Sequence, residues 1–275
     1  MEFHEVRYEV ADRVAIITLN RPEKLNAWTF SMEAEWRRAL ADASARTDVR
    51  VIILTGAGRG FCAGADFGLL SSVQEGTFDA SMIPGDEVSG AEGAGVREDF
   101  RKPYTLLPGI GKPIIGAING PAYGLGLVHA LFCDVRFASD RAVFSTAFVN
   151  RGLIAEHGVA WILPRVVGLE NALDLLLSGR KVDAAEALRL GLVSRVVPHE
   201  ELLTAARAYA QGLVASSSPR SMSVIKRQIW DSLLMELGPA TDVAIQEMFD
   251  SFGTQDFAEG VLAFLEKRPP RFEGA

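Results

Sequence analysis

Cysteine is scarce: Cys62 and Cys133 are the two in 275 residues. Such a pair supplies neither a disulfide framework nor metal-ligand spacing, and it reads as two small buried residues in a reducing compartment. No excess of positive charge exists either, since 28 Lys and Arg face 35 Asp and Glu, for a formal net charge of −7. That balance argues against a nucleic-acid partner, which rewards basic faces, while a few local Lys or Arg still suffice for an anionic ligand. No apolar run reaches the roughly 18 residues of a membrane span. The opening "MEFHEVRYEVADRVAIITLN" starts acidic and alternates like a strand, unlike a secretory signal, so the expected location is cytoplasmic. No internal repeat or low-complexity tract stands out.

What remains is a globular composition, 48% hydrophobic and 23% charged, long enough for one large domain or a domain with an appendage. "VRYEV" and "VAIITL", separated by "ADR", read as a hairpin. "SMEAEWRRALADASA" (31–45) places Met32, Trp36, Leu40 and Ala43 at helical spacing. "VRVIILTG" (49–56), "KPIIGAING" (112–120) and "CDVRFAS" (133–139) read as buried strands. Alternation of strands and helices predicts an α/β fold with a largely parallel, layered core over residues 1–198. Beyond it the β signal disappears, and 199–275 reads as a helical C-terminal region placed against a neighbouring subunit. The Gly-, Ser- and acid-rich stretch 68–99 reads as a long functional loop.

Two glycine-bearing segments carry more chemistry than any charged cluster. "GAGRGFCAGAD" (56–66) and "GPAYGLGLVHALFCD" (120–134) each follow a strand and lead into a helix. Backbone N–H groups at such turns lack internal partners and point outward as anion receptors. Two of them converging would make an oxyanion hole; the plainer reading is that glycine merely permits a tight turn. Neither segment matches a phosphate loop or a dinucleotide fingerprint.

Together with "NRPEKLNA" (20–27) and the ending "AFLEKRPPRF" (263–272), these segments resemble the crotonase family of enoyl-CoA hydratases and isomerases. The resemblance runs from about residue 5 to 272. It implies a spiral of ββα units with C-terminal helices that build a trimer, often a dimer of trimers. The implied substrate is an acyl-CoA thioester, with coenzyme A part of the substrate and no separate cofactor or metal. By the same resemblance the oxyanion hole falls on the N–H groups of Ala65 and Leu125, beside Ala63, Asp66 and Gly124. Lys24, Leu25 and Ala27 would lie along the CoA, and Lys267 would reach a neighbouring subunit's nucleotide. Surface lysines facing water is the competing reading for Lys24 and Lys267.

The chain departs from the family's hydratase pattern. The two glutamates that position and protonate water align with Val128 and Phe148, and neither side chain carries a lone pair. Asn150 and Arg151 follow Phe148. His129 lies about 100° around the helix from Val128 and reads as a satisfied core or interface histidine. Phe61, Phe67, Tyr123 and Phe148 are candidates for the acyl pocket or for the core.

Weight therefore falls on "GLIAEHGVAW" (152–161). Isomerase branches of the family place a single carboxylate at the position of Glu156, and one base that moves a proton between C2 and C4 suffices to shift a double bond. The competing reading is an acid in the first turn of a helix, favoured by the helix dipole whatever the function. His157, one helical residue on, would point about 100° away from Glu156 and would cap the pocket or contact substrate rather than share an atom with it. The expected activity is double-bond isomerisation with Glu156 as single acid/base. The alternatives are hydration of a 2-enoyl-CoA using Glu156, or acyl-CoA binding without turnover.

Overall fold

The computed structural model describes residues 2–77, 79 and 96–274. In chain order its elements are β1 (Val6–Ala11), β2 (Val14–Leu19), α1 (Phe30–Ala45), β3 (Val51–Gly56), α2 (Phe67–Gln74), β4 (Ile114–Ile118), β5 (Ala122–Tyr123), α3 (Leu125–Leu131), β6 (Val135–Ser139) and β7 (Val143–Ser145). Then follow α4 (Val159–Val167), α5 (Leu169–Ser178), β8 (Val182–Asp183), α6 (Ala184–Arg189), β9 (Arg195–Val197), α7 (Leu202–Ser216), α8 (Pro219–Ser232), α9 (Leu237–Phe252) and α10 (Gln255–Glu266).

β1 and β2 form the expected hairpin, closed by Asp12 and Arg13 at φ 50° and 64°. Two consecutive left-handed residues make the turn whose twist matches that of the strands. The main sheet runs β1-β2-β3-β4-β6-β9, parallel from β2 onward. Its central strands read as continuous apolar runs because both faces are covered. Ala15, Ile17, Ile52, Leu54, Ile114 and Ile118 turn to the larger core with Met32, Trp36 and Leu40 of α1. The alternate residues Val14, Ile16, Val51, Ile53, Ile115 and Ala117 pack against Leu202, Ala206 and Ala210 of α7.

A second sheet, β5-β7-β8, explains the spiral. β4 and β6 lie in the first sheet, β5 and β7 in the second, and α3 or α4 follows each pair. The earlier turns repeat this scheme with single bridges in place of strands, Trp28 to Ala65 and Cys62 to Ala122. Each turn thereby ends a main-sheet strand near the same edge, and the loops of successive turns lie side by side there.

Three expectations change. The stretch expected as a loop from 68 is in its first part the helix α2, and 98–100 form a short 3-10 turn, while its central part, 80–95, lies outside the described residues. The boundary expected at 198/199 falls just before α7, yet α7 covers one face of the sheet and so belongs to the core. α8 is also anchored there: buried Lys226 meets Asp134 at 2.8 Å and donates to the carbonyls of Leu107 and Lys112, and Trp230 Nε1 donates to Asp134 at 2.9 Å. α9 buries no residue. The helix expected to start at "AEHG" begins only at Val159, with Gly158 as its left-handed N-cap. No helix of the described residues is long and apolar enough to cross a membrane.

Candidate active site

Two buried asparagines build the first glycine loop. Asn26, fully buried, donates from Nδ2 to the carbonyls of Ala57 (3.0 Å) and Gly60 (2.8 Å), and its Oδ1 accepts from Arg21 N–H (2.8 Å). Asn119 donates to the carbonyls of Gly58 (2.9 Å) and Gly60 (3.0 Å) and accepts from Gly56 N–H (3.1 Å). The segments 20–27 and 117–126 thus clamp 56–60 from two sides. The sequence reading singled out the stretches that contain both residues but assigned neither asparagine a role. A short amide can satisfy several buried main-chain groups at once, and that was the available signal.

Main-chain bonds then carry the loops side by side. Ala63 N–H donates to Leu25, Trp28 N–H to Gly64, Asp66 N–H to Trp28 and Tyr123 N–H to Cys62, at 2.8 to 3.0 Å. In this lattice the N–H groups of Ala65 and Leu125 make no hydrogen bond among the described residues. The two segments touch: a Cβ on Gly64 would stand 3.0 Å from the Tyr123 carbonyl and 3.8 Å from Leu125 N. Gly124, at φ 50° and ψ −117°, turns the chain immediately before Leu125, the first residue of α3. That backbone region is closed to residues with a Cβ.

A cleft lies in front of these donors. Ala63, Gly64, Ala65, Gly124 and Leu125 form its floor, Phe67, Phe148 and Leu153 its apolar sides, and Arg151, Glu156 and His157 its polar wall. Glu156 is the one carboxylate lining it among the described residues. Val128 is fully buried in the core and does not line the cleft, whereas Phe148 does.

Glu156 and His157 sit in a turn between Gly152 and Gly158, where His157 itself takes a left-handed φ of 56°. Glu156 therefore lies outside the first turn of α4. The expected 100° divergence of the two side chains also fails, because neither residue is helical. His157 Nε2 stands 3.5 Å from Glu156 Oε2, and each side chain is about 30% exposed, at 30% and 29%. Burial pushes the Glu156 carboxyl above its ordinary value and holds the His157 imidazole below its own. The Tyr104 ring packs edge-on against His157 at 4.4 Å.

Other candidates are placed elsewhere. Asp66 turns to Arg21 (2.9 Å) and to Gly68 N–H. Lys24 is exposed at the end of a 3-10 turn, Leu25 packs beside Gly60, and the Ala27 carbonyl accepts from Arg21; none of the three lines the cleft. Lys267 is exposed at the left-handed C-cap of α10. Asn150 reaches the Ser178 carbonyl, Phe61 is core, Phe67 is exposed at the cleft, and Lys181 lies over Tyr123. His129 is buried as expected but not satisfied. Neither ring nitrogen has a hydrogen-bond partner among the described residues, and the ring is held by Trp28 at 4.2 Å and Trp36 at 4.8 Å. Burial lowers its pKa to about 3, so it is neutral.

The sequence model of the enoyl-CoA hydratase/isomerase family matches residues 9–275. The chain belongs to that family. It is similar to a "Probable enoyl-CoA hydratase" of Mycobacterium tuberculosis, 38% identical over 94% of this chain and 89% of that one. A probable enoyl-CoA hydratase of Rhodobacter capsulatus is 36% identical over the full length of both. Among solved structures, an enoyl-CoA hydratase/isomerase from Mycobacterium paratuberculosis superposes with a TM-score of 0.84 at 30% identity, covering all of both chains. An enoyl-CoA hydratase from Bacillus anthracis superposes with a TM-score of 0.86 at 28% identity, covering 99% of this chain and all of that one. The fold is accordingly the crotonase fold, and the protein is a crotonase-family enzyme.

Proposed function

We propose that this enzyme binds an acyl-CoA thioester, holds its carbonyl oxygen between the N–H groups of Ala65 and Leu125, and shifts a double bond with Glu156 as acid/base. The carboxylate removes a proton from C2 or C4. The electron pair moves onto the thioester oxygen, and the carboxylic acid returns the proton to the other carbon. The observation that carries this reading is that Glu156, the single carboxylate among the described residues to line the cleft, shares it with two unspent main-chain donors, with Val128 and Phe148 where a hydratase of the family has its pair. Coenzyme A enters as part of the substrate, since proton transfer and an oxyanion site suffice for the chemistry. Lys24, Leu25, Ala27, Ala63, Asp66 and Lys267 are our candidates for the CoA path.

The printed names of the relatives favour a second reading, in which Glu156 activates water for addition at C3 of a 2-enoyl-CoA. One set of incubations separates the two. Isomerisation predicts solvent-exchangeable protons at C2 or C4 and no labelled oxygen in the acyl chain from labelled water; hydration predicts that oxygen at C3. Glu156→Gln is expected to abolish exchange while acyl-CoA binding changes less than about threefold. Exchange at the wild-type rate in that variant sinks both readings, and tight binding without chemistry in the wild type leaves an acyl-CoA binding protein.

The apolar residues left exposed on α8, α9 and α10, among them Ile229, Phe249, Phe252, Phe264 and Leu265, support assembly into a homotrimer or a dimer of trimers.

A further inference from the structure

The turn 152–158 spends three left-handed residues, and two of them, Gly152 and Gly158, are glycines that adopt the conformation freely. His157 is not a glycine, and a left-handed backbone is strained for a residue with a Cβ. What that conformation achieves is local: it folds the imidazole back beside the carboxylate of its predecessor, Nε2 to Oε2 at 3.5 Å, with both groups on the cleft wall. On its other side the ring is fixed by Tyr104, itself left-handed at φ 67°. Strained backbone concentrated around one pair of polar groups is the mark of a functional constraint.

We propose that His157 is the positioning residue of a Glu156–His157 dyad, which carries protons between Glu156 and solvent during turnover. The inference rests on the reading of Glu156 as the base. The carboxylate takes the proton from carbon, leaving the electron pair on the thioester oxygen. The carboxylic acid then passes that proton to the lone pair of Nε2, giving an imidazolium beside a carboxylate. His157, part exposed, exchanges the proton with water and returns one through Glu156 to carbon, so no net proton is gained or lost. A separation of 3.5 Å is loose for this transfer, and acid/base contacts of this kind tighten when substrate fills the site.

The surroundings suit the exchange. Burial raises the carboxyl and lowers the imidazole, which moves the two proton affinities towards each other. The charged or titratable groups around His157 are Glu156 on its own turn, Arg151 on the cleft wall, Tyr104 beside the ring and the neutral His129 of α3. The buried Glu33–Arg37 pair of α1 lies behind Tyr104 and His129.

The test follows the proton. A 3-enoyl-CoA deuterated at C2 is isomerised in ordinary water, and the deuterium found at C4 of the product is measured. C2 exchange of butyryl-CoA in deuterated water is followed across pH in parallel. His157→Asn keeps a residue that tolerates the left-handed backbone but does not titrate in this range, and His157→Gly removes the side chain with the strain. In both variants the deuterium carried from C2 to C4 should rise at least about threefold, and the exchange rate should fall about tenfold or more. One inflection of the pH profile should also disappear. Unchanged label transfer and an unchanged profile, with only KM or Tm altered, would give His157 a merely structural role and overturn the dyad. Exchange surviving in Glu156→Gln overturns the base assignment instead, and wild-type enzyme that neither exchanges nor isomerises either ester overturns both.

Discussion

At the scale of single residues, the site depends on what is left unbonded. The N–H groups of Ala65 and Leu125 make no hydrogen bond among the described residues, and Asn26 and Asn119 hold the first glycine loop by its carbonyls at 57, 58 and 60. Leu125→Pro deletes one donor at the first position of α3, where a helix tolerates proline. The expected result is a fall in kcat of about 10²- to 10³-fold in the folded variant, with a lower Tm because the buried Leu125 side chain is lost as well; a variant of undiminished kcat removes Leu125 from the oxyanion site. Asn26→Ala leaves the Ala57 carbonyl and the Arg21 N–H without partners, at about 1–3 kcal/mol each before relaxation, and takes one of two donors from the Gly60 carbonyl. A large loss of Tm on thermal melting is therefore expected, and a variant as stable as the parent contradicts the clamp. pH dependence follows from the proposed role of Glu156 as the base. The base must be ionised to act, so kcat/KM should rise with pH through a midpoint above the usual carboxylate range, because burial raises this carboxyl. A midpoint at or below the ordinary value of about 4.3 argues for another base.

At the scale of elements, strand and helix periodicity were legible because each depends on neighbours close in sequence. The β1–β2 hairpin, the buried strands and α1 all stand where the residue pattern puts them. α1 is capped by Thr29, whose hydroxyl accepts from Met32 N–H at 3.0 Å. Thr29→Ala should cost about 1 kcal/mol, read as a lower denaturation midpoint, and more if the hydroxyl's bond to Glu5 also counts. The start of α4 is not legible in the sequence, for an identifiable reason. "AEHG" has the composition of a helix opening, but Gly158 takes a left-handed conformation that no periodicity records, and it moves the boundary to Val159. One such residue changes the chemistry, since Glu156 and His157 meet only because the backbone between them is not helical. His129 was likewise placed correctly in the core, while its lack of hydrogen bonds depends on three aromatic rings from distant segments.

At the scale of the whole molecule, α7 and α8 close the core, whereas α9 and much of α10 present apolar side chains to solvent. Phe249, Phe252 and Phe264 are 60%, 50% and 83% exposed, more than a soluble surface ordinarily leaves uncovered in one region. Sedimentation should give three or six times the chain mass, and Phe249→Asp with Phe252→Asp should shift the mass toward the single chain. A monomeric wild type at micromolar concentration removes the assembly. The sequence alone determined the fold class and the two glycine segments, and its resemblance to the family singled out Val128 and Phe148 at the hydratase positions and Glu156 as the candidate acid. All of this rests on residue types and their order, which the chain carries in one dimension. Tertiary structure alone decided that the N–H groups of Ala65 and Leu125 stay unspent, that Asp66 turns away to Arg21, and that His157 folds back on Glu156. Those facts depend on backbone dihedrals and on contacts between segments as much as 63 residues apart, and local pattern specifies neither.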